Sequence, residues 1–99
     1  MSTSSDPNTT SITTASRRET AVTLPANLHA RPAGRLARAA AAFTSAIQLE
    51  YADRTVNPTG VLAVMGLGAT VGSTVTVRAE GHDAEQAVAA LAQILATAE

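Results

Sequence analysis

The stretch GSTVTVRAEGHDAEQAVAALAQILATAE, which occupies Gly72–Glu99, decides the fold. Its first part alternates apolar with polar side chains, which predicts a strand with one buried face; the apolar members are Val75, Val77 and Ala79. Its second part, Ala84–Ala98, carries apolar residues at helical spacing. Asp83 precedes this helix, and Gln86 three residues later is the expected reciprocal partner in a capping box.

Upstream of this stretch, three further segments show clear periodicity. Alternation predicts strands at Thr20–Leu24 and Ile47–Tyr51, and a stripe of apolar residues predicts a helix over Pro32–Ala42. Asp53-Arg54 is a turn candidate, after which a short strand is expected to start at Thr55–Val56. The apolar residues of Gly60–Gly68 fit either a short helix or a buried strand, because periodicity cannot separate the two over so few residues. The predicted order is therefore strand, helix, strand, strand, an ambiguous segment, strand and helix.

Each predicted strand has one apolar and one polar face. Antiparallel sheets commonly bury one face under helices and leave the other in water. We therefore predict an α+β fold, an open-faced two-layer sandwich with a four-stranded antiparallel sheet. Residues 1–16 contain ten Ser or Thr and are predicted to be a disordered tail or linker, and residues 17–99 form the one folded domain.

The composition excludes several classes of function. The chain has 99 residues, a net charge of −1 and no cysteine, and all seven of its basic residues are arginine. Disulfides, thiol nucleophiles, cysteine-based zinc sites and Walker-type phosphate loops are therefore ruled out. The near-neutral charge and two aromatic residues argue against nucleic acid. No apolar run approaches the roughly 18 residues of a membrane span, so we expect a cytoplasmic protein that does not insert into membranes.

A histidine stands at the expected start of the first helix, in the segment NLHARPA over Asn27–Ala33. Pro32 suits a first helical turn, so the helix is expected to begin at Arg31 or Pro32. His29 then lies at a helix N-terminus, where free backbone N–H groups and the positive end of the helix dipole form an anion site. Because proline has no N–H, the expected phosphate-binding donors are those of Ala30, Arg31 and Ala33.

An imidazole in this position suits phosphoryl transfer. The dipole and Arg31 disfavour a second positive charge on His29, and both would stabilise the negative charge of a phosphoryl group bound to it. On spacing alone, a single histidine near a helix start is more often a capping or surface residue, so both interpretations stay open here. The other histidine, His82, lies in a turn without a carboxylate cluster, and no metal site is expected.

The segment LHARPA, at Leu28–Ala33, closely resembles the phosphorylation-site motif of the HPr family. These proteins are the histidine-containing phosphocarriers of the bacterial phosphoenolpyruvate-dependent sugar phosphotransferase system. The similarity continues from Arg17 to the C-terminus, through Phe43, Val56-Asn57, Val64–Gly68, Gly72 and Ala79–Gly81. It implies the HPr-like sandwich with three helices on one face, in which Gly60–Gly68 is the short second helix.

The resemblance also implies a function. His29 would accept a phosphoryl group on Nδ1 from phosphorylated Enzyme I and pass it to an Enzyme IIA domain in sugar uptake. Arg31 would stabilise the charge, and Pro32 would fix the helix start. Such a protein is a phosphoryl carrier with a covalent phosphohistidine intermediate rather than an enzyme, uses no cofactor, and is expected to be a monomer.

Two positions depart from the family pattern. Many family members carry a regulatory serine at the start of the second helix, but Gly60 stands there, and Thr59 is out of register. Regulation through that serine is therefore expected to be absent. Ala26-Asn27 replaces the Asn-Gly pair that often precedes the histidine. Because asparagine tolerates a left-handed backbone, the turn is expected to survive with Asn27 in that conformation.

Two groups of residues are candidates for partner binding. The apolar group comprises Val61, Leu62 and Met65, of which part must belong to the core; Leu62 and Met65 are the favoured contacts. The basic group comprises Arg35 and Arg38, which suit either an acidic partner face or simple solvation.

Two alternative functions stay open. The chain also suits the HPr-like domain of the phosphotransferase-dependent dihydroxyacetone kinase system, since the Ser/Thr-rich N-terminus and the missing serine are compatible with it. A regulatory docking module that carries no phosphate is the third possibility, although docking alone does not need the histidine of the HARP segment.

Overall fold

The computed structural model describes residues 16–99. They form seven elements, in the order β1 (Ser16–Thr23), α1 (Ala30–Ala41), β2 (Ala46–Tyr51), β3 (Arg54–Val56), α2 (Val61–Met65), β4 (Thr74–Gly81) and α3 (Ala84–Ala96). The segment that periodicity left ambiguous contains the short helix α2. The prediction for the N-terminal tail lies outside the described residues, except that Ser16 already belongs to β1 and pairs with Gly81.

The four strands form one antiparallel sheet in the order β1-β4-β2-β3. The last strand in the chain, β4, is thus central: Val77 lies opposite Thr20 of β1 on one side and Leu49 of β2 on the other. The hairpin of β2 and β3 turns through Ala52 and Asp53, and Ala52 has a left-handed φ of 56°. The predicted open-faced α+β sandwich is confirmed.

The core lies between one face of the sheet and the helices. Its larger fully buried side chains include Leu36, Leu49, Leu91, Leu95, Val64, Val75 and Val77. Alanine supplies 22 of the 99 residues, and several alanines in the core are completely buried, among them Ala33, Ala79, Ala84 and Ala87. A methyl side chain lets helix and sheet backbones approach closely, so a chain with two aromatic residues still fills its interior. Among residues 16–99, no helix is long and apolar enough to cross a membrane.

The opposite face of the sheet is polar and carries an ion-pair bridge. The Arg78 guanidinium on β4 donates to Glu19 of β1 at 3.0 Å and to Glu50 of β2 at 2.7 Å. These hydrogen bonds, first that of Glu19 and then that of Glu50, raise the pKa of Arg78. One side chain therefore links three neighbouring strands on the solvent-facing side.

The predicted capping box at α3 is wrong. Asp83 is the N-cap residue, but its side chain makes no capping bond. Its carboxylate instead accepts hydrogen bonds from the backbone N–H groups of Thr44 and Ser45, each at 2.9 Å, and from both hydroxyls. Asp83 thus joins the loop after α1 to the loop after β4, a connection between segments far apart in the sequence.

These contacts explain the lowered pKa of Asp83 and the presence of a glycine at position 81. The Ser45 hydroxyl and then the Thr44 N–H lower the pKa of Asp83 to about 2, from an ordinary value of 3.8. Gly81 lies against the same loop with a φ of 148°, and a Cβ there would stand 2.5 Å from Ser45 Oγ. A glycine therefore allows Ser45 to approach β4 closely enough to meet Asp83.

Replacing Asp83 with asparagine should destabilise the protein in a pH-dependent way. Because the folded state lowers the pKa of this carboxyl, its contribution is present above about pH 4 and is lost as the pH falls through about 2. At neutral pH we expect Asp83→Asn to lower the unfolding midpoint by about 5 °C or more. Thermal unfolding followed by circular dichroism across this pH range measures both effects.

Asp53→Asn is the matched control, because Asp53 is exposed in the β2–β3 turn. It should change the unfolding midpoint little at any pH. A difference between wild type and Asp83→Asn that stays constant from neutral pH down to about pH 2 would contradict the assignment.

Candidate functional site

The histidine singled out by its sequence context is the N-cap residue of α1. His29 has an extended backbone, with φ −81° and ψ −171°, and its carbonyl accepts the first intrahelical bond from Ala33 N–H at 3.1 Å. Its side chain makes no capping hydrogen bond and is exposed. The imidazole is therefore accessible at a helix N-terminus, where the local field favours negative charge.

Two backbone donors are unpaired beside this imidazole. Within residues 16–99, no acceptor faces the N–H groups of Ala30 and Arg31. Pro32 is buried in the first turn and has no N–H. The prediction for Ala33 needs correction, because its N–H is used inside the helix. The helix also begins at Ala30, one residue before the predicted start, and this is why position 33 is already internal.

The loop before His29 is attached to the loop before β4. Leu24 donates to Ser73 O at 2.8 Å and accepts from Gly72 N–H at 2.9 Å, and Leu28 N–H donates to Ala69 O at 3.2 Å. The side chains of Leu24 and Leu28 are both buried. Gly72 has a φ of 89°, a left-handed conformation that favours glycine. The position of His29 is thus set by core anchors and by backbone bonds to a second loop.

Asn27 does not adopt the expected left-handed conformation. Among residues 16–99, Ala52 is the one non-glycine residue with a positive φ. Asn27 instead accepts Val71 N–H through its side-chain Oδ1 at 2.8 Å. The turn survives with a different backbone, because a side-chain hydrogen bond helps to hold it.

The basic residues of α1 remain unpaired in the described chain. Arg31 and Arg38 are exposed and Arg35 is half-buried. No salt bridge within residues 16–99 involves any of them. Arg38 lies in the last turn of α1, where a positive charge interacts favourably with the helix dipole.

The short helix α2 packs against α1 and presents apolar side chains. Leu62 is 82% exposed and Met65 is 38% exposed. Val61 is half-buried and packs against the core. Of the three apolar residues predicted for partner binding, Val61 therefore contributes mainly to packing, and α2 offers Leu62 and Met65.

Two structural features were missed from the sequence. Arg54 at the start of β3 donates through Nη1 to Gly66 O at 2.8 Å, and so pairs with a carbonyl at the C-terminal end of α2. Val71 is 63% exposed in the loop that Asn27 contacts. Periodicity carries no signal for either, because one is a contact between a strand and the end of a separate helix, and the other is a single exposed residue. His82, which had no predicted role, is exposed in the turn before α3.

Comparison with known proteins decides the family. The model of the family described as "PTS HPr component phosphorylation site" matches residues 16–97, which include both the His29 loop and the whole sheet. The chain belongs to the HPr family. HPr proteins are phosphocarriers of the phosphotransferase system, so the general role implied by the LHARPA segment is confirmed.

Similar HPr proteins support the assignment in sequence and in structure. The phosphocarrier protein HPr of Lysinibacillus sphaericus is 42% identical over 71 residues, which are 72% of this chain and 81% of that protein. The crystal structure of HPr from Bacillus anthracis str. Ames has a TM-score of 0.71 and 34% identity, over 82% of this chain and 96% of that one.

A third similar structure belongs to the HPr-like protein Crh of Bacillus subtilis, a catabolite repression protein. That crystal structure is a dimer with a swapped domain. Its TM-score is 0.65 and its identity is 35%, over 75% of this chain and 85% of that one. The fold therefore occurs in at least one similar protein as a dimer.

Proposed function

We propose that His29 is the phosphoryl acceptor, that Enzyme I of the phosphotransferase system is the donor and that an Enzyme IIA domain is the recipient. The observation that carries this proposal is the accessible His29 imidazole at the start of α1, beside the unpaired N–H groups of Ala30 and Arg31. The match to the HPr family over residues 16–97 supports the same assignment. We place this exchange in the cytoplasm.

The transfer forms one bond to phosphorus and breaks another. The lone pair of Nδ1 of His29 attacks the phosphorus, and a P–N bond forms while the bond from phosphorus to the donor atom of Enzyme I breaks. The electron pair of the broken bond leaves with Enzyme I. The second transfer reverses the roles, with the phosphohistidine as donor and Enzyme IIA as nucleophile.

The groups around His29 can stabilise the negative charge of the phosphoryl group that this step adds. A phosphoryl group adds negatively charged oxygens at the positive end of the α1 dipole. The N–H groups of Ala30 and Arg31 are the proposed donors to those oxygens, and the Arg31 guanidinium adds a charge-assisted hydrogen bond. The helix begins at Ala30 and not at Pro32, so the proposed part of Pro32 is to stabilise the first helical turn without needing an acceptor, since it has no N–H.

Replacing His29 with alanine should abolish phosphorylation. The purified chain is incubated with phosphoenolpyruvate and Enzyme I, and acid-labile phosphate is measured. Wild type should take up one phosphate per chain, and His29→Ala should take up none because the nucleophile is gone. His82→Ala is the matched control, since it removes the other exposed histidine, and it should be labelled like wild type.

Two outcomes of that assay would overturn the proposal. Undiminished labelling of His29→Ala would place the phosphate elsewhere, and an unlabelled wild type would point to a docking module. Labelling by Enzyme I followed by transfer to the dihydroxyacetone kinase system, and not to Enzyme IIA, would instead move the chain to the alternative carrier role.

Arg31 should affect the rate of transfer more than the stability of the fold. Its side chain is exposed, so Arg31→Ala should shift the unfolding midpoint little. We expect the single-turnover rate from phosphorylated Enzyme I to fall by about tenfold, because one charge-assisted donor to the phosphoryl group is lost.

Arg31→Lys serves as the conservative variant. It keeps the charge but loses the planar fork of donors, so its rate should lie between those of wild type and Arg31→Ala. Equal rates for all three proteins, measured by rapid quench, would remove Arg31 from the mechanism.

We propose that Leu62 and Met65 form part of the surface that Enzyme I contacts, with Arg35 and Arg38 facing acidic groups of the partner. Leu62 is the more exposed of the two apolar residues and contributes little to the core. Exposed apolar side chains commonly mark a docking surface, and these two lie on a helix that packs against α1, whose N-cap is His29. We propose that the chain engages its partners as a monomer.

Leu62→Ser should weaken docking without changing the chemistry. We expect the KM of Enzyme I for this chain to rise by about fivefold with kcat nearly unchanged, because contact area is lost and the reacting groups are not. Ala63→Ser is the control, since it places the same residue one position along α2 at another exposed site. A KM that rises equally for both variants would point to an effect on the helix, and an unchanged KM for Leu62→Ser would remove this residue from the surface.

A further inference from the structure

Asn27 makes hydrogen bonds that connect His29 with a second loop. Its main-chain carbonyl accepts His29 N–H at 3.0 Å, and its side-chain Oδ1 accepts Val71 N–H at 2.8 Å. The residue is half-buried. Asn27 is therefore bonded to the candidate phosphoryl acceptor through its backbone and to the segment 69–73 through its side chain.

The side-chain bond extends a short ladder between the two loops. Leu28 N–H donates to Ala69 O at 3.2 Å, and two residues further along that loop Val71 N–H donates to Asn27 Oδ1. A side-chain oxygen thus takes the place of the carbonyl that a strand would offer. In residues 16–99, Val71 N–H has no other acceptor, so removing Oδ1 leaves this donor without a protein partner.

This connection depends on the residue type at position 27. A glycine or alanine at this position would have no side-chain oxygen with which to make such a bond. In this chain the left-handed turn that glycine permits is absent at Asn27. The hydrogen bond to Val71 is thus a feature of how this particular sequence holds its loop.

We propose that Asn27 is a positioning residue for His29. It acts through the backbone: by fixing residue 27 against Val71, it fixes the carbonyl that receives His29 N–H, and so holds the imidazole in register with the free N–H groups of Ala30 and Arg31. Misplacement of a reacting group by about 1 Å can cost a large factor in rate. This inference rests on the proposed function of His29.

Three variants test the proposal. Asn27→Ala removes the acceptor, and Asn27→Asp keeps an oxygen that can accept Val71 N–H. Ser73→Ala is the matched control, because Ser73 Oγ accepts Thr70 N–H at 3.1 Å in the same loop and bonds to Tyr51 OH at 3.3 Å, but makes no hydrogen bond to residues 27–29. The measurements are amide hydrogen exchange, unfolding midpoints, and the kcat and KM of phosphorylation by Enzyme I.

For Asn27→Ala we expect exchange of the His29 and Val71 amides to quicken by about tenfold. Its kcat should fall by about tenfold with KM within about twofold of wild type, because positioning and not docking is changed. Asn27→Asp should restore slow exchange at Val71. Ser73→Ala should keep kcat within about twofold of wild type even where its unfolding midpoint falls as far as that of Asn27→Ala.

Several results would overturn the proposal. They are an unchanged His29 amide or an unchanged kcat in Asn27→Ala, Val71 exchange in Asn27→Asp as fast as in Asn27→Ala, or an equal loss of kcat in Ser73→Ala. A wild type that accepts no phosphate overturns the proposed function instead. The role of Asn27 is then judged on the amide exchange of His29 alone, which needs no phosphate.

Discussion

The central strand β4 buries Val75, Val77 and Ala79 completely on one side and pairs with a strand along each of its edges. Burial of these alternate residues against the helices is the constraint on which the rest depends, because it fixes where both ends of the strand lie. One end carries Asp83, which holds the loop after α1. The other end of β4 follows Ser73, whose carbonyl accepts a hydrogen bond from Leu24 N–H. Leu24 lies in the loop that continues along the chain to His29. The reactive end of α1 is thus positioned from the middle of the sheet.

Periodicity was sufficient to predict β1, β2, β4 and the two longer helices, because each of these elements places one face in or against the core. The three-residue β3 has no buried residue and was predicted from the turn before it. The alternation of Ile47 and Leu49 and the helical spacing of Leu91 and Leu95 both reappear as buried residues. The short helix α2 could not be separated from a strand by pattern, since it is five residues long. Its assignment before the structure depended on family resemblance.

Hydrogen bonds between loops that are distant in the chain could not be predicted from the sequence. Asp83 was assigned to a local cap because the nearby Gln86 completes a known pattern, whereas its carboxylate is used 38 residues away in the chain, at Ser45. Asn27 was expected to hold the turn through a left-handed backbone, whereas its side chain accepts a hydrogen bond from Val71 N–H in another loop. At the candidate site, the position of His29 at a helix start and the unpaired N–H groups of Ala30 and Arg31 could be anticipated, because helix starts have local signals. Ala33 could not, since its availability depends on which residue begins the helix.

The unpaired N–H groups of Ala30 and Arg31 at the start of α1 belong to the backbone. Such groups have no titration within the physiological pH range and survive substitution of the residues that carry them, proline excepted. In the proposed role, this gives position 30 mutational latitude: its side chain can change while both backbone donors of the anion cradle persist, whereas at position 31 only the backbone donor, and not the guanidinium, would survive a substitution. The same cradle exists only while the first helical turn is formed, so fraying of that turn would remove both donors together.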